Sequence, residues 1–104
     1  MKYSVKHGLA DTSRVRLVVE KAYSAYEERL RDYRPSIDWT GDQQAKIGFT
    51  VMSQSVSAEL EFDEQELRID GKVPFLFRPF QGKIESVLGR EMDKWLEKAR
   101  NGEI

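Results

Sequence analysis

From Ile37 to Val73 the chain alternates apolar and polar residues with a period of two, and no other feature limits its fold as much. Ile37 and Trp39 begin the pattern. Ala45, Ile47, Phe49 and Val51 continue it, followed by Val56, Ala58, Leu60 and Phe62, then Leu67, Ile69 and Val73. Between them stand Lys46, Thr50, Ser57, Glu59, Glu61, Arg68, Asp70 and Lys72. Side chains of a strand point to opposite faces in turn, so this stretch predicts four consecutive strands of an antiparallel sheet, wet on one face and buried on the other. Thr40–Gln43, Met52–Gln54 and Asp63–Gln65 are the expected turns. The rest of the chain must cover the apolar face.

Two helical patterns supply the cover. After a first strand in which Tyr3, Val5 and His7 alternate with polar neighbours, Gly8 turns the chain, and Asp11, Thr12 and Ser13 are all suitable N-caps. A helix from there to about Tyr33 gathers Val15, Val18, Val19, Ala22, Tyr23, Ala25, Tyr26, Leu30 and Tyr33 on one broad face. Arg34-Pro35 ends it, because the residue before proline disfavours the helical region. A second helix, Gln81 to Arg100, carries Ile84, Val87, Leu88, Met92, Trp95, Leu96 and Ala99, with Asn101-Gly102 as its stop. The predicted fold is α+β in the order β-α-β-β-β-β-α, with both helices on one face of the sheet. A first helix of that length spans about 33 Å against strands of about 20–27 Å, so it is expected to cross the sheet obliquely or to overhang it, an overhang leaving apolar surface uncovered.

At 104 residues the chain is one domain, 1–104, with a single core. A charged fraction of 34% and a mean hydropathy of -0.62 exclude a membrane span. With a net charge of -1 and interspersed signs, there is no concentrated basic surface for nucleic acid. There is no cysteine, hence no disulfide and no thiolate chemistry. The first residues lack a signal peptide's apolar region, so a cytoplasmic location is expected. The 39% hydrophobic share is modest, and with the overhang it leads to the expectation of a homodimer.

Few residues are candidates for chemistry. His7, the only histidine, is either a general base or ligand, or a ring packed at the sheet rim and hydrogen-bonded to backbone; the second is the more economical reading. Arg29 falls inside the apolar arc of the first helix, and Glu91 inside that of the second. They are expected to pair across the helix seam or to reach solvent at its rim; the alternative is a Glu91 of raised pKa beside a ligand cavity. Phe75, Phe77 and Phe80, in a run bracketed by Pro74 and Pro79, are the candidate apolar contact. Gly82, Ser86 and Gly89 form a stripe where another backbone, that of a second copy included, would approach closely. No phosphate loop, nucleophile elbow or zinc-protease motif is present, and no cofactor is expected.

In pattern and order the chain resembles the polyhydroxyalkanoic acid system family, also described as granule-region proteins. The resemblance covers nearly the full length. It rests on His7-Gly8-Leu9, the Val15/Val19/Ala22 stripe, Ile37-Asp38-Trp39, Ile47-Gly48-Phe49, the Val56–Phe62 strand and Ile84-Glu85-Ser86-Val87-Leu88. It implies a bacterial, cytoplasmic, non-enzymatic protein associated with polyhydroxyalkanoate storage, for which a granule or a granule protein is a candidate partner. It transfers no catalytic residue, and the Pro74–Phe80 run is more aromatic than the family leads one to expect.

Two functions follow as expectations. One is a non-catalytic accessory or interaction protein of polyester storage, contacting the granule or a granule-bound protein through the Phe75–Phe80 region. The other is a carrier of a small apolar ligand between helices and sheet, by analogy with helix-grip domains.

Overall fold

A computed structural model describes all residues, 1–104, and contains two helices and five strands. The strands are β1 (Lys2–Lys6), β2 (Ser36–Gly41), β3 (Gln44–Val51), β4 (Gln54–Phe62) and β5 (Glu66–Lys72); the helices are α1 (Thr12–Arg29) and α2 (Gln81–Arg100). Every neighbouring pair of strands is antiparallel, in the order β1-β5-β4-β3-β2. The meander read from the sequence is therefore the body of the sheet. β1 joins as an edge strand beside β5, the last strand of the meander, through Tyr3↔Ile69 and Val5↔Leu67.

Asp11 is the N-cap of α1, its carboxylate accepting from the Ser13 N–H at 2.8 Å. That fixes a register the sequence left open among three residues. α1 stops at Arg29 rather than near Tyr33: Leu30 caps it, Arg31–Tyr33 form a 3-10 turn, and Arg34 takes a left-handed φ of 50° ahead of Pro35. The proline acts on the residue before it, as expected, but the chain tightens a turn earlier and carries Tyr33 away from the helix face. α1 is thus about 27 Å long, which removes it as the main source of overhang.

Both helices lie on the apolar face. Val15, Val18 and Val19 of α1 pack with Met92, Leu96 and Ala99 of α2, and with Leu60, Phe62, Leu67 and Ile69 of the sheet. Leu67, Leu96 and Val15 are fully buried, each contributing about 1.5–3 kcal/mol. Gly89 faces this layer too: its Cα lies beneath the Tyr3 ring, which a Cβ there would meet at 3.6 Å. Gly89, at one end of the small-residue stripe, is therefore a seat for Tyr3, while Gly82 at the other end faces open space.

The core occupies only one end of a body measuring 39 × 24 × 23 Å. Along β4 the burial of the inward residues falls steadily. Phe62 and Leu60 are buried, Ala58 and Val56 half-buried, and Met52, at the turn beyond, is exposed. The pairings explain the gradient. β2 reaches β3 only as far as Ser36↔Gly48, and β5 reaches β4 only as far as Ser57↔Lys72. Residues 49–56 therefore project past both neighbours as a two-stranded arm.

Candidate functional site

The end of the molecule at which the helices meet β1 and the β4–β5 turn is closed by hydrogen bonds. This is the base, and His7 is at its centre, fully buried. Its Nδ1 accepts from the Leu9 N–H at 3.0 Å, and its Nε2 donates to the Asp63 carbonyl at 2.8 Å. With Nδ1 committed as acceptor, the Nε2–H tautomer is the one that satisfies both bonds. The ring is a structural link between β1 and the β4–β5 turn, with neither nitrogen free for a ligand. Gly8 follows with φ +66°, and Arg100 crosses it, donating from Nε to the His7 carbonyl at 2.9 Å and from Nη2 to that of Lys6 at 3.0 Å. Arg14 Nη2 donates to the Ala99 carbonyl at 2.8 Å, joining the two helices. The Asp63 carboxylate accepts from the N–H groups of Gln65 and Glu66, both at 2.8 Å, and pairs with Arg68 at 3.0 Å. Those donors hold its pKa far below the usual carboxylate range, the Glu66 N–H most strongly. His7-Gly8-Leu9 is thus a folding device.

The seam between the helices differs from expectation. Tyr26, not Arg29, meets Glu91: its hydroxyl donates to Glu91 Oε2 while accepting from Trp95 Nε1 at 2.8 Å, and the two rings stand edge to face. Glu91 pairs with Lys94 at 3.4 Å. Arg29 lies over the Tyr26 ring at 5.6 Å, reaching the rim as the second expectation had it. The Tyr26 hydrogen bond, ahead of Lys94, lowers the pKa of Glu91. This direction is the opposite of the raised pKa expected for an acid beside a ligand cavity. Sequence reading passed over Tyr26 because a tyrosine in an apolar stripe is ordinarily core; its i,i+3 spacing to Arg29 was the available signal.

The opposite end is open. Apart from Leu17, every large apolar residue that is exposed lies there: Leu30 and Tyr33 after α1, Phe49 and Met52 on the arm, Phe75, Leu76 and Phe80 before α2, and Ile84 and Val87 in its first half. Two stand almost clear of the protein, Phe75 at 79% and Met52 at 77% of their surface. Pro74–Phe80, read as irregular, contains a 3-10 helix, Phe75–Phe80. Within it Phe77 is half-buried, while Phe75, Leu76 and Phe80 are exposed. Of the three phenylalanines expected at a contact, two are presented and one is partly packed.

Two hollows are open to solvent. One, about 540 Å³, lies on the polar outer face of the sheet among Lys2, Lys46, Glu59, Glu61, Arg68 and Asp70. The other lies beside Met1, Gly71 and Arg78. Neither is enclosed between helices and sheet. Within the chain no cluster of three or more metal-ligating side chains forms, and no helix is long and apolar enough to cross a membrane.

A family model described as "Putative polyhydroxyalkanoic acid system protein" matches residues 2–96, from the first strand through most of α2. The chain belongs to this polyhydroxyalkanoic acid system family. The match covers the open end and, in the base, His7 and Asp63 but not Ala99 or Arg100. No curated protein and no solved structure matches the chain.

Proposed function

We propose that this member of the polyhydroxyalkanoic acid system family is a non-catalytic accessory protein that docks on polyhydroxyalkanoate granules through the open end of its sheet. The observation that carries the reading is the segregation of exposed apolar residues. They come from three separate segments of sequence and converge on one end, whereas the exposed apolar residues of a monomer are ordinarily scattered singly. Burying Phe75, Leu76, Phe80 and Met52 against an apolar surface is the favourable term. A granule-bound protein is the other partner this reading accommodates, and a cytoplasmic location follows from it. The polar residues that invited a catalytic reading are all engaged: His7 on backbone groups, Glu91 on Tyr26 and Lys94.

The test is co-sedimentation with purified granules followed by a wash at high salt, about 1 M, where charge attraction is screened within about 3 Å. The reading predicts that wild type stays on the granules and that a folded Phe75→Ser/Phe80→Ser variant is washed off.

A further inference from the structure

We infer that the open end addresses an anionic lipid surface, inserting Met52 and Phe75 among the chains while a basic rim meets the headgroups. The inference rests on the docking end proposed above and adds the chemistry of what it meets.

Charge distribution is the first ground. The segments that build this end, residues 30–36, 48–57 and 71–85, hold Arg31, Arg34, Lys72, Arg78 and Lys83 against only Asp32 and Glu85. That is a net charge of +3 in a chain of net -1, so the remainder carries -4. Asp70 lines a hollow together with Lys72 and Arg78, so one carboxylate stands beside these bases; Glu27 and Glu28 lie in the last turn of α1 beside Arg29. The arm has no charge at all: from Gly48 to Ala58 every residue is neutral. An uncharged apolar tip set within a ring of bases is the arrangement of proteins that lie at anionic interfaces, where each base contributes about 1 kcal/mol near the surface.

Backbone geometry is the second. Met52 and Ser53 form the two-residue turn of the arm, and both have positive φ, 51° and 64°. This turn type favours Asn-Gly, because other side chains are strained there. A methionine in that position raises the local energy and places a flexible apolar side chain at the outermost point of the molecule. Strain kept at a tip that buries nothing within the chain marks a tip used against something outside it.

Shape separates lipid from protein. Met52 and Phe75, with 77% and 79% of their surface exposed, stand out from the molecule as protrusions. A fluid surface accepts protrusions, whereas a protein partner needs matching recesses. A second copy docked end to end would bring two basic rims together.

The experiment is flotation of the protein with vesicles of phosphatidylcholine alone and with phosphatidylglycerol added, at low and high salt. Binding that phosphatidylglycerol strengthens, that salt lowers toward the apolar contribution without abolishing it, and that falls about tenfold or more in Arg78→Glu/Lys83→Glu at low salt is expected. Met52→Ser is expected to weaken it without changing the salt dependence. Arg78→Gln/Lys83→Gln replaces the reversal variant if that variant does not fold. Equal binding to both vesicles, no binding, or indifference to the charge variants overturns the inference. So does a Phe75-dependent dimer in sedimentation without vesicle binding. If vesicles are ignored while granules still retain the protein after the salt wash, the lipid inference falls and the docking reading stands. If neither is bound, both fall.

Discussion

His7 Nε2 donates to the carbonyl of Asp63 at 2.8 Å, joining residues 56 positions apart inside the closed base of the molecule. The bond ties the end of β1 to the β4–β5 turn, and the His7 N–H adds a second link, to the Gln65 carbonyl at 3.1 Å. A base held this way lets the opposite end remain uncovered without loss of the fold.

Replacing His7 by Phe keeps most of the volume but leaves the Leu9 N–H and the Asp63 carbonyl without their partner. The expected loss is about 1–3 kcal/mol, read as a lower urea midpoint. A shift equivalent to under about 0.5 kcal/mol, the range of an ordinary surface change, would mean the ring is not the link described.

Acid should loosen the same corner. The Asp63 pKa is lowered in the folded state, so its contribution is complete above the unfolded value of about 3.9. It is lost as pH falls below that toward the folded value. Asp63→Asn should be less stable than wild type at neutral pH and show a flatter decline of melting temperature below about pH 4. Parallel acid profiles for the two proteins would contradict this.

Two glycines should respond in opposite senses to alanine. Gly8 has φ +66°, and a Cβ there would meet Arg100 Nε at 3.0 Å, so Gly8→Ala should cost about 1–2 kcal/mol. Gly82, in the first turn of α2, has nothing within 4 Å, and Gly82→Ala should gain up to about 1 kcal/mol. Thermal unfolding of both variants checks the pair.

At the helix seam, Tyr26→Phe removes the donor to Glu91 and the acceptor of Trp95. A stability loss of about 1 kcal/mol is expected. The sharper readout is the Glu91 carboxyl resonance, whose titration should move up toward the ordinary range. No movement would show that Tyr26 does not set it.

Relief of strain in the arm should separate stability from docking. Met52→Asn/Ser53→Gly supplies the residues this turn favours and should stabilise by about 1 kcal/mol, while granule retention falls. Retention equal to that of wild type would remove Met52 from the contact.

The sheet was legible in the sequence because one wet face enforces a period of two from Ile37 to Val73. α2 was legible because Asn101-Gly102 stops it where the apolar pattern ends. The early end of α1 was not, since it depends on Leu30 leaving the helical angles, which no residue type there demands. Periodicity also could not show which half of each apolar stripe would be covered. Val56 and Phe62 look alike in sequence, and only the unequal reach of β2 and β5 buries one more than the other. The aromatic run was identified as a contact, but its 3-10 turn, which hides Phe77 and shows Leu76, is set by the two prolines together with the start of α2.

The most direct measurement of the central claim is retention on purified polyhydroxyalkanoate granules after a high-salt wash, comparing wild type with Phe75→Ser/Phe80→Ser at equal melting temperature. Wild type retained and the variant released is the predicted result. Equal retention of the two, or release of both, would contradict docking through the open end.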